Sequence, residues 1–463
     1  MNAGASGRHS LGRLLQLLCL VLILSVGLLL RLGTAWGTQV DAPVRNDARD
    51  YVAYAWNVQT YGVYSLDAST FMDRSPAAPR PDAIRPPGYP LLLQALMPKQ
   101  LSPAFIARVC YVQGWIAEAT LLCSVLLAME LVGAWPGLLL GALVVLSPHQ
   151  SVYVGYLLTE TFYGFALMLA LAAAVLALKS ARGWPRWSYA CACGMLFGLS
   201  CLIRPTLNQW VPVLVLLMLV WRPLRQYRRE IALLAFGFVL AMSPWWIRNE
   251  ITLHRLSDAE KMIDTLHDGS YPGFMYEGRR ETFGYPNRFD PNTALATASW
   301  PGIYHDLASK FAKAPLAMLH WYLIGKVVYF FNWSADQGWG DIFVYPLLRS
   351  PWLWNPMFLG ARAVIRAIYA PLIIGGVLGM LFAFLPRTAA LFAPRQTQGI
   401  RFLALLQLFA IGVHVVGAPF SRYSVPFRPL TFLLAVFLFV WLYRYFLQVL
   451  REREAARVVT AND

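Results

Sequence analysis

The sequence predicts an all-α polytopic membrane protein of about ten transmembrane helices, on three observations. Of 463 residues, 58% are hydrophobic and only 14% charged, where an ordinary soluble domain carries about 25% charged residues. Aromatic residues make up 14%, with 17 Trp and 22 Tyr, rings that concentrate where protein meets lipid headgroups. Apolar runs of the roughly 17 to 25 residues needed to cross a bilayer recur along the whole chain. A soluble enzyme, a disordered chain and a coiled coil are thereby excluded. The net charge of +15 contains no run of five like charges, so no nucleic-acid partner is expected.

In chain order the apolar runs are 11–33, 103–131, 134–150, 153–178, 188–203, 207–223, 229–247, 364–385, 399–418 and 425–447. The first follows Arg8 and Arg13 as a signal peptide would, but it is long, lacks a small-residue cleavage site and ends in Arg31, so it reads as a retained helix. Run 314–333 is ambiguous, and loop charges decide it, because short cytoplasmic loops collect Lys and Arg. With the N-terminus inside, 179–187 (Lys179, Arg182, Arg186) and 222–229 (Arg222, Arg225, Arg228, Arg229) fall in the cytoplasm. A full crossing at 314–333 would put Arg387, Arg395, Arg444, Arg451, Arg453 and Arg457 outside. Reading 314–333 as an interfacial or re-entrant helix on the outer side returns them inside. Ten spans are therefore expected, with a twelve-span version containing a second crossing in 334–363 as the alternative.

Three parts follow: an N-terminal transmembrane module, 1–247, whose first outer loop is 34–102; an outer-face segment, 248–363, of loops and interfacial helices; and a C-terminal module, 364–463, with a cytoplasmic tail. The outer segments are rich in Pro, Gly, Trp and Tyr, the composition of loops and short helices on a membrane face. The six Cys lie in or beside apolar runs and read as buried thiols. Cys191 and Cys193, two apart on a helix, face different directions and make no metal pair.

In the first outer loop, Asn46 to Ser65 reads as a short amphipathic helix, with Tyr51, Tyr54, Ala55 and Val58 at helical spacing and Gly62 as a stop. Asp47 has two readings. It is an N-cap whose acidic box is completed by Asp50, or a carboxylate held at the water-facing end of the first span to take a proton from a hydroxyl. Downstream, Arg85-Pro86-Pro87-Gly88-Tyr89-Pro90 is a rigid turn steering the chain back to the membrane. A turn alone leaves Arg85 unexplained.

The set Asp47, Tyr51, Ala55 and Gly62 followed by RPPGYP resembles the GT-C type membrane glycosyltransferases, in the branch of protein O-mannosyltransferases and lipid A aminoarabinose transferases. Further matches come in order: Glu160 in LLTETFYG, Arg204 in LIRPT, Arg248 and Asn249 in SPWWIRNE, and Arg422 and Tyr423 in SRYSVPFRP. One departure stands out. The family often has two adjacent acids at the first motif, whereas here Ala48 follows Asp47 and the second carboxylate is Asp50, which leaves metal use and the identity of the base open.

The resemblance implies a GT-C-like fold and an inverting glycosyltransferase. It would move a sugar from a polyprenyl-phosphate carrier to a lipid, glycan or protein acceptor at the outer, periplasmic face of the cytoplasmic membrane. Asp47 is then the expected base and Glu160 a second catalytic acid. Substrate contacts are expected from Asp50, Tyr51, Arg85, Tyr89, Arg204, Arg248, Asn249, Lys326, Arg422 and Tyr423. An Arg fork suits phosphate oxygens, although snorkelling toward headgroups explains any single Arg equally well. Glu160 either orients the acceptor, holds a divalent cation with a loop carboxylate, or sits as an acid on a helix N-terminus. Glu118, costly in mid-span, and His414 are assigned no role. Two alternatives remain: a transporter or lipid flippase, which would place broken helices at the midplane, and a non-catalytic GT-C-like assembly subunit.

Overall fold

The computed structural model describes residues 3–72, 78–98, 102–257, 260–335 and 338–462. Its elements are overwhelmingly helical. Helix α1 (Ala3–Gly37) leads into the first long loop, which carries α2 (Asn46–Tyr61) and α3 (Gly88–Leu96). Helices α4 (Pro103–Val132), α5 (Ala134–Leu146) and α6 (Pro148–Val152) follow, then α7 (Glu160–Lys179), α8 (Trp184–Ile203), α9 (Trp210–Val220) and α10 (Arg228–Leu253). Segment 248–363 contributes α11 (Glu260–Gly269), α12 (Trp300–Lys313), α13 (Pro315–His320) and α14 (Lys326–Phe330). Helices α15 (Pro356–Phe382), α16 (Pro394–Val416) and α17 (Arg428–Asn462) close the chain.

Among the described residues eight helices are long and apolar enough to cross a membrane: Ser10–Gly37, Pro103–Val132, Glu160–Lys179, Trp184–Ile203, Arg222–Leu253, Pro356–Phe382, Pro394–Val416 and Ser421–Ala455. The protein is thus a multi-pass membrane protein. Two of the ten expected spans differ. Run 134–150 is broken into α5 and α6 by a 62° bend, because Pro148 forces Ser147 out of the helical region, to φ −71°, ψ 112°. Run 207–223 supplies only the 11 residues of α9, about 16 Å of helix against a hydrocarbon core of about 30 Å. The cause is again a proline: Arg204, before Pro205, is extended at φ −150°, ψ 124°, which ends α8 and leaves a short 3-10 turn before α9. The run expected from 153 starts at Glu160 instead, and the one expected from 364 begins at Pro356, where the Asn355 side chain accepts from Met357 N.

Segment 314–333 folds as α13 and α14 joined by a π-helical turn, Trp321–Gly325. It is not among the helices fit to cross, and Leu316, Leu323 and Val328 stand exposed along it.

Close backbone approaches tie the bundle. A Cβ on Gly194 of α8 would lie 1.8 Å from Leu234 O of α10, and one on Gly237 2.2 Å from Cys191 O, so only glycine lets these helices meet. Buried Arg31 of α1 pairs with Glu118 of α4 at 3.3 Å, which accounts for the mid-span acid. All six cysteines are free. Strand β1 (Gln39–Val40) pairs antiparallel with β2 (Leu347–Arg349), Gln39 opposite Arg349 and Val40 opposite Leu347. This short ladder fastens the first loop to the far end of segment 248–363.

Candidate active site

Helix α2 stops at Gly62, which takes the left-handed conformation at φ 66° that glycine adopts without steric cost. At the other end Arg45, not Asp47, occupies the cap, with no side-chain capping bond. The N-cap reading of Asp47 is therefore replaced: the residue sits within the first turn, and both carboxylate oxygens face guanidinium groups. Arg85 Nη2 donates to Oδ1 at 2.7 Å and Arg422 Nη2 to Oδ2 at 2.6 Å. Arg85 also grips Asp50, through Nη2 at 2.8 Å and Nε at 3.3 Å. Two segments 375 residues apart in sequence meet at this one carboxylate.

A second pair lies alongside. Arg204 Nη1 donates to Glu160 Oε1 at 3.1 Å, while Glu160 Oε2 is buried with no hydrogen-bond partner among the described residues. The Arg204 guanidinium lies 4.0 Å from the centre of the Tyr423 ring, and that of Arg422 lies 5.3 Å from it, placing the two cations on one aromatic platform. Arg85 stands over Tyr51 at 5.4 Å. Three guanidinium groups are thus matched by three carboxylates.

These side chains set the charge of the site. Burial pushes the Asp47 carboxyl up, but Arg422 and Arg85 outweigh it and hold Asp47 well below the usual carboxylate range. For Arg85, burial works against the charge, and Tyr51, Asp47 and Asp50 more than restore it, holding the guanidinium above its ordinary value.

Asp47, Tyr51, Arg85, Glu160, Arg204, Arg422 and Tyr423 line one side of a cavity of about 690 Å³. Asp50 acts there only through Arg85. Four other expected contacts fall elsewhere. Tyr89 is fully buried, its hydroxyl donating to Gln113 Oε1 at 2.9 Å and its ring edge-on to Tyr51 at 5.2 Å, so it backs Tyr51 instead of facing substrate. Arg248 donates to Asp82 O at 2.8 Å and Tyr64 O at 3.2 Å, pinning the first loop to α10. Asn249 receives Arg248 Nη1 at 2.9 Å and donates to Leu256 O at 3.0 Å. Lys326, fully buried, donates to Val415 O and Gly417 O, each at 2.8 Å. It therefore satisfies the exposed carbonyls at the end of α16, and burial pushes its ammonium down to about 6.

The rest of the lining went unread in the sequence. Helix α11 presents Lys261, Asp264, Thr265 and Asp268 to the cavity, and α10 adds Trp245 and Trp246. The signal was there, since positions 261, 264, 265 and 268 share one helical face. Burial pushes the Asp268 carboxyl up to about 6. Behind α11, His267 is anchored to Asp306 at 3.2 Å and to the Tyr271 hydroxyl at 2.7 Å, with Lys310 on Asp306 at 2.7 Å.

For a divalent cation the residues do not assemble: among the described residues no three His, Cys, Asp or Glu side chains gather as a metal-binding group, and Asp47 and Asp50 are engaged by guanidinium groups.

Comparison with solved structures places the architecture. The chain superimposes over 96% of its length on the archaeal oligosaccharyltransferase AglB from Archaeoglobus fulgidus, solved with an inhibitory peptide and a dolichol-phosphate, at TM-score 0.51 and 14% identity, covering 52% of that chain. The apo form of the same enzyme matches over the same shares at TM-score 0.50 and 15% identity. The fold is GT-C. The chain spans about half the length of the oligosaccharyltransferase. ArnT from Cupriavidus metallidurans, bound to undecaprenyl phosphate, matches at TM-score 0.43 and 15% identity, over 91% of this chain and 76% of that one. No family model and no curated protein sequence matches the chain. Within the GT-C fold, Asp47 projects from the first loop, while Arg204 and Arg422 stand at the adjoining ends of membrane helices.

Proposed function

We propose that the protein is an inverting glycosyltransferase that moves a sugar from a polyprenyl-phosphate carrier to a lipid, glycan or protein acceptor at the outer face of the cytoplasmic membrane. The observation that carries this reading is Asp47 bridging Arg85 and Arg422 in the cavity, with Arg204 on the same platform. Guanidinium forks suit a phosphate diester, and a carboxylate beside them suits removal of a hydroxyl proton. The GT-C fold, shared with an enzyme solved with a dolichol-phosphate, agrees with a lipid-linked donor. The Arg-rich connections 179–187 and 222–229 lie at the opposite ends of α8 and α10 from Arg204 and Arg248, which supports an outer-face site.

The charges give an order of events. Before the donor arrives, the guanidinium groups of Arg85, Arg204 and Arg422 are balanced by Asp47, Asp50 and Glu160. An arriving phosphate draws Arg422 and Arg85 to itself, and Asp47, losing its cations, becomes a stronger base. The acceptor oxygen then attacks the anomeric carbon from the face opposite the phosphate. As that C–O bond forms, the bond from the anomeric carbon to the phosphate oxygen breaks, its electron pair passes to the leaving polyprenyl phosphate, and the acceptor proton passes to Asp47. Glu160, held through Oε1 by Arg204, offers Oε2 to an acceptor hydroxyl. The outer segment, through α11, forms the acceptor side.

The test is transfer from a panel of radiolabelled polyprenyl-phosphate sugars in native membranes, with the unaltered chain and Asp47→Asn. Labelled product from the unaltered chain alone, with donor still bound by the variant, supports the reading. Equal transfer by both removes Asp47 as base, and donor binding without transfer by either favours the non-catalytic subunit.

A further inference from the structure

A second cavity, of about 370 Å³, opens at the other end of the helix seam that holds the first. The catalytic cavity is lined by the C-terminal ends of α8, α10 and α16, at Ile203, Trp245 and Val413. The second is lined by the N-terminal ends of the same helices, at Arg186, Glu230 and Arg401. Between the two, Trp210 at the start of α9 is fully buried, 5.9 Å from the Phe402 ring and 5.3 Å from that of Phe409. This aromatic cluster fills the seam between them, so the cavities are separate sites at opposite ends of the same helices.

The walls of the second cavity are apolar, with Leu214, Leu234, Phe402 and Leu405 facing one another across the slot. Its two cations differ. Arg186 is neutralised by Glu230 at 2.5 Å. Arg401 Nε donates to Ala383 O at 3.0 Å, which orients the guanidinium, and its terminal nitrogens meet no acceptor among the described residues. Arg401 lies only about 10 Å along α16 from its start at Pro394, in the end of the helix, where a span approaches the headgroup layer. Half-exposed Trp221 at the rim suits the same layer.

We propose that this cavity binds an anionic glycerophospholipid from the leaflet opposite the catalytic site, its phosphate on Arg401 and one acyl chain between α9 and α16. An apolar slot with one uncompensated guanidinium at headgroup depth complements an amphiphile that carries a negative charge at that level. A carrier tail has no such charge, and Trp210 bars its way from the catalytic cavity. The bound lipid wedges α16, whose far end leads through Gly417 to Arg422. The site does not depend on which reaction the catalytic cavity performs.

The experiment uses the full-length protein in detergent, with native mass spectrometry and thermal unfolding in the presence of dioleoylphosphatidylglycerol or dioleoylphosphatidylcholine. Phosphatidylglycerol is expected to bind at least tenfold more tightly and to raise the melting temperature. Arg401→Gln should abolish the preference. Leu405→Trp, which fills the slot while keeping the cation, should reduce binding of both lipids and decides the matter if Arg401→Gln fails to fold. Equal affinity for the two lipids, a preference unchanged in Arg401→Gln, or binding unaffected by Leu405→Trp would overturn the site. Competitive displacement of phosphatidylglycerol by undecaprenyl phosphate would assign the slot to the carrier tail and overturn the proposal as well.

Discussion

Replacing Asp47 by Asn should tighten binding of the carrier while abolishing its use. Asp47 holds Arg85 at 2.7 Å and Arg422 at 2.6 Å, and their side chains are about a fifth exposed. Arg85 keeps Asp50 at 2.8 Å when Asp47 is neutralised, but Arg422 has no second carboxylate among the described residues. In the unaltered protein an incoming phosphate must take Arg422 from Asp47. A hydrogen bond to a charged group contributes about 1.5–3 kcal/mol, and partial solvent screening reduces that to about 1–1.5 kcal/mol here. Removing the competitor should therefore strengthen polyprenyl-phosphate binding about tenfold. Loss of the base should slow single-turnover transfer by about 10²–10⁴-fold. Arg422→Gln should instead weaken both binding and transfer. The assay is equilibrium binding of a fluorescent polyprenyl phosphate to protein in nanodiscs, with single-turnover rates on the same samples. If Asp47→Asn weakens binding as much as Arg422→Gln does, the carboxylate contacts the donor directly and the competition argument fails.

Glu160→Gln should raise the acceptor KM while leaving donor affinity within about twofold, because Arg204 keeps an oxygen partner; an unchanged acceptor KM would remove Glu160 from the acceptor side. Asp268 gives a pH signature. Burial raises its folded value to about 6 from about 3.9 in the unfolded chain, so its contribution to stability is complete below pH 4 and is lost as pH rises through 6. Asp268→Asn should accordingly raise the melting temperature at pH 8 and leave it unchanged at pH 4, and calorimetry at the two values checks both. Lys326→Met should cost stability by about 1–3 kcal/mol, since two partly buried carbonyls at the end of α16 lose their donor, with donor affinity preserved in the folded fraction. A loss of donor affinity matching that of Arg422→Gln would return Lys326 to the phosphate site.

The parts of the site that were legible in sequence share a physical cause. Arg204 and Arg422 stand beside the end of an apolar run and Glu160 stands within one, where a charge is conspicuous, while Asp47 opens the amphipathic helix that follows the first run. Lys326 stood in an apolar run too, but a lone cation there looks the same in sequence whether it meets a phosphate or backbone carbonyls. Arg248 was placed at the right end of its helix, yet its acceptors are the carbonyls of Tyr64 and Asp82, which no local pattern reveals. The acidic face of α11 was missed because polar residues at helical spacing read as a solvated surface until a cavity is seen against them. The broken fifth helix and the short α9 escaped because hydropathy counts apolar residues and is blind to backbone angles; Ser147-Pro148 and Arg204-Pro205 were the available signals.

The measurement that tests the central claim most directly is the anomeric configuration of the product. Purified protein in liposomes would be given an active polyprenyl-phosphate sugar of defined anomer, the product bond assigned by NMR, and released polyprenyl phosphate counted against sugar transferred. A single displacement assisted by Asp47 requires the inverted anomer, one polyprenyl phosphate released per sugar transferred, and both slowed by about 10²–10⁴-fold in Asp47→Asn. A product that retains the donor's configuration, or transfer by Asp47→Asn as fast as by the unaltered chain, would contradict it.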